Sequence, residues 1–316
     1  MHIPDGFLDA KTALTAGGLA ATGLGVSLRQ VRSRLPRRKI PMLGLAAAFV
    51  FAAQMLNFPV AGGTSGHLIG GVLTAVLLGP SAAVIVLASV LIVQCFLFAD
   101  GGVTALGANI FNMGIIGGVV GYAVYRSVRG VFRGTRGVVM AAAFAAWCST
   151  VLAAIVCAGE LALSGTVAWS IAFPAMTNVH MLIGVGEALI TAVVIVAIAR
   201  ANPELLELQT NPGANLGYGQ VLVFGLLISF GLALFVAPFA CSWPDGLDKV
   251  AKTFGFEHHA ARAALIHSPI PNYQLPGVHS TLVATSLAGV IGTIIAFVLA
   301  FLLARKLVSK PAPDAQ

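Results

Sequence analysis

The sequence predicts an all-α membrane protein with about nine transmembrane helices: a seven-helix core over residues 1–200, a linker over 201–218 and a two-helix accessory unit over 219–316. Three observations lead there. Hydrophobic residues make up 58% of the 316 and charged residues 9%, against roughly 25% charged in soluble domains. Apolar runs recur at about the 20 residues that a helix needs to cross some 30 Å of hydrocarbon. Basic residues gather at alternate turns, the bias that orients membrane helices.

In chain order the runs are Leu8 to Leu28, Pro41 to Leu56, Gly66 to Leu78, Ser81 to Phe98, Ala105 to Tyr125, Val138 to Leu163, Pro174 to Ala199, Gly219 to Phe239 and Ser280 to Ala304. The third is short by this measure, so it either re-enters one face or leans on its neighbours. With the N-terminus outside, the inner turns collect Arg29, Arg32, Arg34, Arg37, Arg38, Lys39, Arg126, Arg129, Arg133, Arg136, Arg200, Arg305, Lys306 and Lys310, which is 14 of the 18 Lys and Arg. Lys11, Lys249, Lys252 and Arg262 remain outside, and nine spans put the C-terminus in the cytoplasm. The net charge of +7 thus reads as topology and not as affinity for nucleic acid. Asp5 and Asp9 precede the first run and its basic cluster follows it, the reverse of a cleavable signal, so Met1 is expected to persist.

Proline and glycine mark Asn202 to Tyr218 as a linker. The accessory hairpin encloses an outer segment over 240–280, opened by the turn chemistry of Trp243-Pro244-Asp245-Gly246-Leu247, with a short helix expected from Lys249 to Gly255. On the first run Ala13, Gly17, Ala21 and Gly25 repeat every four residues, a flat stripe suited to docking a partner helix; Gly117 and Gly121 repeat the spacing in the fifth. Cys95, Cys148, Cys157 and Cys241 show no paired spacing and argue neither for disulfides nor for a thiolate site.

The candidate chemistry begins at the N-terminus. The Met1 amine, the His2 amide nitrogen and the His2 imidazole can close two adjacent chelate rings around one cation, a planar nitrogen array that suits Ni(II) or Cu(II) and not Mg or Ca. His67 is the candidate for a further ligand. It ends the run Asn57-Phe58-Pro59-Val60-Ala61-Gly62-Gly63-Thr64-Ser65-Gly66-His67, whose glycines let backbone fold back at membrane depth. A lone histidine in such a place is more often a hydrogen-bonded structural group, but its pairing with Met1-His2 favours ligation. Asp100 is expected to attract a cation or to accept the second nitrogen-bound proton of a metal-bound imidazole, with capping of the following helix as the alternative. Asn109 and Asn112 are expected to face the bundle interior. His180 and Glu187, seven residues apart, share a helix face; Glu187 either holds helices together or joins a relay. Glu160 is read as interfacial. Glu257, His258, His259, His267 and His279 read as a solvated loop, with transient metal capture as the sharper alternative.

Taken together, Met1 to Leu8, the Gly-Gly-Thr-Ser-Gly-His run ending at His67, Asp100 to Gly114 and Pro174 to Thr191 resemble the substrate-binding membrane component of energy-coupling-factor nickel/cobalt transporters. Trp243 to Glu257 is similar to that system's small accessory component, here fused. Asp248 stands where the accessory motif usually has Glu, and Ala61 where the core often has Pro. The resemblance implies a square-planar site of four nitrogens, from the Met1 amine, the His2 amide, the His2 ring and His67. It implies Ni(II) as the transported substrate, with Co(II) the alternative; Pro4-Asp5 after the opening Met-His-Ile, together with the fusion, looks more like the nickel branch. It also implies a transporter subunit in the inner, cytoplasmic membrane of a bacterium, working with a transmembrane coupling protein and two cytoplasmic ATPase subunits. The chain itself has no Gly-x-x-x-x-Gly-Lys-Ser/Thr phosphate loop.

Two rival readings use other residues. Gly63-Thr64-Ser65-Gly66 fits the nucleophile motif of an intramembrane serine protease, with His180 as base. His180 and Glu187 would alternatively carry protons in a secondary transporter.

Overall fold

The computed structural model describes residues 2–131, 134–206, 216–260 and 265–308. Met1 lies outside the described residues, as do 207–215, most of the expected linker. The first helix, α1 (Ala10–Arg34), starts where the Asp9 carboxylate accepts a hydrogen bond from the Thr12 amide at 3.0 Å and ends on Arg32 and Arg34, charges that suit the negative end of the helix dipole. Helix α2 (Ile40–Gln54) carries Pro41 in its first turn, where a missing N–H costs nothing.

The chain then leaves helical geometry. Strands β1 (Phe58–Val60) and β2 (Thr64–Gly66) form an antiparallel hairpin with Phe58 opposite Gly66, turning through Gly62 and Gly63 at φ +84° and +71°. Helix α3 is only Gly71–Leu78, 8 residues, or about 12 Å. The expected third span is thus corrected: its first half is hairpin and loop, because the left-handed glycines bring the backbone back before a helix can start. Helix α4 (Pro80–Phe98) follows directly.

The fifth run is one continuous helix made of α5 (Leu106–Asn109), a π-helical stretch Ile110–Val120 and α6 (Gly121–Arg129). Next come α7 (Gly134–Leu163) and α8 (Trp169–Ala201). Helix α8 starts five residues before Pro174, the expected start, since a proline in an early turn forfeits one hydrogen bond without ending the helix. Helix α9 (Tyr218–Gly231) continues as π-helix to Val236. A short helix α10 (Gly246–Phe254) begins ahead of the expected Lys249, because Asp245 caps it by accepting from the Asp248 amide at 2.9 Å. Helix α11 (Thr281–Leu307) completes the described chain.

Among the described residues, six helical runs are long and apolar enough to cross a membrane: α4, the α5–α6 run, α7, α8, the α9 run and α11. Helix α1 has the length at 25 residues, but α2 at 15 and α3 at 8 fall under the roughly 20 required. The fold class stands as expected, while the count of nine spans is not matched helix for helix.

Helix α7 packs along α8, and α11 along α2 with α9 on the same flank. The α2–α11 crossing is reciprocal: Phe51 of α2 fills the space over Gly292, and Phe297 of α11 fills that over Gly44, so neither glycine has room for a methyl group. The stripe on α1 is largely uncovered. Gly17 meets Gly107 backbone to backbone, whereas Ala21 and Gly25 are exposed.

Overpacking a tight apolar contact costs about 1–3 kcal/mol. Gly292→Val is therefore expected to lower the thermal midpoint of the detergent-solubilised protein, and Phe51→Leu in the same chain to recover part of the loss. An unchanged midpoint in the single variant would show that the crossing is loose.

Candidate metal centre

The centre is assembled from three pieces of non-helical chain. The first is the N-terminal segment ahead of α1, held almost as a strand would be. Asn109 accepts from the Ile3 amide through Oδ1 at 2.8 Å and donates through Nδ2 to the Ile3 carbonyl at 3.1 Å, a carbonyl that also accepts from the Gly102 amide at 2.8 Å. Asp5 accepts from the amide and hydroxyl of Thr104 at 2.8 and 2.6 Å, and the Thr166 hydroxyl donates to the Phe7 carbonyl. Gly102 lies so close to Pro4 and Asp5 that a side chain would collide with their backbone. With Ile3 and Phe7 sealed in the core, the place of His2 is fixed.

The second piece is the loop from β2 to α3. His67 donates from Nδ1 to its neighbour's carbonyl, Leu68, at 3.0 Å, which leaves the lone pair on Nε2. The next two amides, Ile69 and Gly70, donate to the two oxygens of Glu187 at 2.5 and 2.9 Å, and Gln54 Nε2 donates to the Ile69 carbonyl at 2.9 Å. Glu187, fully buried on α8, thus clamps the loop that presents His67.

The two imidazoles stack with ring centres 5.1 Å apart and planes inclined by 26°. His2 Nε2 lies 3.1 Å from Gln94 Oε1, and His2 Nδ1 lies 3.3 Å from Asp100 Oδ1. In a chelate with the His2 amide, Nδ1 would be the ligating nitrogen, since it closes a six-membered ring. Asp100 lies on the Nδ1 side of the ring and Gln94 on the Nε2 side. The capping alternative for Asp100 fails, because α5 begins beyond it with no side-chain cap. Burial lowers the His2 imidazole below its usual pKa of 6.5, against the opposing pull of Asp100, so the ring is neutral with its lone pair available at neutral pH.

The third piece comes from the segment between α9 and α11. The Trp243 carbonyl accepts from Ser65 Oγ at 2.7 Å; the Pro244 carbonyl accepts from the Ser65 amide at 2.8 Å and from Thr64 Oγ1 at 3.1 Å. Cys241 donates its amide to the Asn57 carbonyl at 2.8 Å. Gly246 faces the His180 ring with no space for a side chain, and Tyr273 donates to Asp100 Oδ2 at 2.5 Å while stacking on Phe98. Asp245 stands close enough to feel both imidazoles. Burial alone would raise it, but its surroundings, among them the Asp248 amide, His67 and His2, hold it below the ordinary carboxylate range.

The structure brings His2, His67, Asp100, Asn109 and Glu187 around one point, with Ser65 and His180 in the wall beside it. Among the described residues no three His, Cys, Asp or Glu side chains form a metal cluster. Ser65 and His180 do not bond to each other; His180 Nδ1 instead meets the Met176 carbonyl at 2.8 Å, so the protease reading has no base in place. Asn112 binds Glu160 at 2.6 Å inside the bundle, which corrects Glu160 from interfacial to buried. His258, His259, His267 and His279 are exposed, the solvated-loop reading. Gln94, Asp245 and Tyr273 were not singled out from the sequence as parts of the site; only Asp245 carried a local signal, as a turn residue.

Residues 2–205 match the family described as the cobalt uptake substrate-specific transmembrane region. The chain belongs to this family. Residues 219–309 match the PDGLE domain. A putative fused nickel transport protein NikMN of Archaeoglobus fulgidus is 37% identical over 307 residues, covering 96% of this chain and 98% of that one. The fused nickel transport protein NikMN of Rhodobacter capsulatus is 37% identical over 229 residues, 68% of this chain and 66% of the relative. A crystal structure of a transition metal transporter superposes with a TM-score of 0.59 at 33% identity, over 66% of this chain and 97% of that one. Members of the family are thus metal transport proteins, and this chain is a nickel or cobalt transport component with multiple membrane-crossing helices.

A buried amide left without its acceptor costs about 1–3 kcal/mol. Glu187→Leu strands two of them beside His67 and is expected to weaken divalent-metal affinity about tenfold or more, measured by titration calorimetry; Glu187→Gln, which keeps one acceptor oxygen, is expected to lose less. Equal affinities in all three proteins would show that Glu187 does not position the loop.

Proposed function

We propose that this chain is the substrate-capturing subunit of an ATP-driven importer, taking Ni(II) in preference to Co(II) at a square-planar site. Its four nitrogens are the Met1 amine, the His2 amide, His2 Nδ1 and His67 Nε2. The observation that carries the reading is the stacked approach of His2 and His67 at 5.1 Å, each held by its own buried network. An array of nitrogens that includes an amide favours Ni(II), and the fused relatives named as nickel transport proteins point the same way.

ATP hydrolysis falls to two partner subunits joined through a transmembrane coupling protein, since the sequence has no phosphate loop. The stripe of Ala13, Gly17, Ala21 and Gly25, exposed at Ala21 and Gly25, is the docking face for that coupling protein. The chain divides into a metal-binding core over 1–200, a linker over 201–218 and an accessory unit over 219–316, in the cytoplasmic membrane with the N-terminus outside. Proton-coupled transport is disfavoured by Glu187, whose two oxygens are already committed to backbone amides.

Inserting one residue between Met1 and His2 is expected to abolish nickel binding by the purified, untagged protein, as is His67→Ala, with the thermal midpoint without metal unchanged. Retained binding in the insertion variant would refute the chelate. Binding is also expected to weaken as pH falls, because every ligand nitrogen must be proton-free. The terminal amine, ordinarily titrating near 7.7–8.0, competes first; His2, already lowered by burial, competes only below its usual 6.5. Affinity flat from about pH 8 to pH 5.5 would exclude nitrogen ligation. Ala21→Leu is expected to block co-purification with the coupling protein while leaving metal binding intact; an intact complex would return the stripe to internal packing.

A further inference from the structure

Two cavities far from the metal centre meet at the end of the bundle where the basic residues gather. One, of about 360 Å³, is a slot between α2, α3, α8 and α9 walled by apolar side chains such as Phe49, Leu73, Val194 and Phe224. It follows α2 from Met42 to Val50, about 12 Å along the helix. The other, of about 440 Å³, is lined by Lys39, Tyr122, Tyr125, Arg126 and Arg129. Leu77, Leu78 and Leu205 border both, so the two spaces adjoin, and among the described residues no carboxylate lines either.

The order of chemistry along this joint cavity is that of a phospholipid. Apolar walls within the hydrocarbon give way to phenols and then to cations, with Lys39 and Arg129 half-buried and Arg126 exposed. Guanidinium groups grip phosphate oxygens in pairs and an ammonium adds a point charge. Basic pockets between membrane helices select acidic head groups on the same grounds. The slot is also a seam, because α9 supplies one wall and the helices of the family's transmembrane region supply the rest. A chain lying in it would touch both.

We propose that the joint cavity binds one anionic phospholipid of the leaflet at the basic end, with an acyl chain in the α2/α3/α8/α9 slot and the phosphate against Lys39, Arg126 and Arg129. The site is independent of the metal reading and needs only the membrane fold. Lipid bound there fastens α9 to the core.

The test uses the full chain, delipidated in detergent, with phosphatidylglycerol, phosphatidylcholine or inorganic phosphate added, read by native mass spectrometry and by thermal midpoint. Phosphatidylglycerol is expected to give a one-to-one adduct and a higher midpoint, and the other two neither. Changing Lys39, Arg126 and Arg129 to Gln together is expected to weaken that adduct by about tenfold or more, and Val194→Trp, which fills the slot, to do the same with the cations intact. If the triple variant fails to fold, the single exposed change Arg126→Gln is expected to weaken the adduct severalfold. Equal binding of phosphatidylcholine, a midpoint shift from phosphate alone, an adduct that survives both variants, or no adduct at all, as when the slot belongs to a partner protein's helix, would each overturn the proposal.

Discussion

Extended backbone placed among membrane helices has no water to bond with, so each of its amides and carbonyls needs a partner supplied by the protein. The metal centre is built under that constraint. Asn109 mimics a neighbouring strand for Ile3, Glu187 takes the amides of Ile69 and Gly70 just beyond His67, and the Trp243 and Pro244 carbonyls take up what Thr64 and Ser65 present. Remove the constraint and there is no reason for a glutamate on α8 to be fully buried. With it, the same glutamate supplies two acceptor oxygens for two adjacent donors.

The accessory segment enters this network as a structural necessity of the site's wall. Its carbonyls complete the hairpin, its Asp245 adds a negative charge beside two imidazoles, and its Tyr273 fixes the rotamer of Asp100, which in turn meets His2. The link from Tyr273 to His2 is two contacts long and spans 271 positions of sequence. In the proposed site a divalent ion bound through one deprotonated amide would retain net positive charge, which carboxylates at Asp100 and Asp245 would offset.

How much of this was legible in the sequence follows from the range of each interaction. Hydropathy and the basic turns announced the membrane helices, because both are local properties of a run of residues. His2 and His67, whose rings the structure brings together, were legible through chain chemistry and a glycine-rich approach. The third span misled, since apolar composition from Gly66 to Leu78 looks the same whether Gly70 starts a helix or a turn precedes it. Gln94 is hidden in the middle of the apolar run of α4, and its role depends on a residue 92 positions away. Asp100 looked like a cap or a remote support because nothing in its neighbours reveals that His2 approaches it with Nδ1. Pro174 was read as a boundary when it is an early-turn proline of a helix that starts at Trp169.

The bond between Asn109 and Ile3 also dictates an order of events during synthesis. Ile3 has no seat until Gly102 and Asn109 are made, and the wall over Ser65 stays open until Trp243 and Pro244 follow. At about 5–20 residues per second Ile3 waits several seconds for its partners and Ser65 longer for its own. A segment made early is therefore among those locked late.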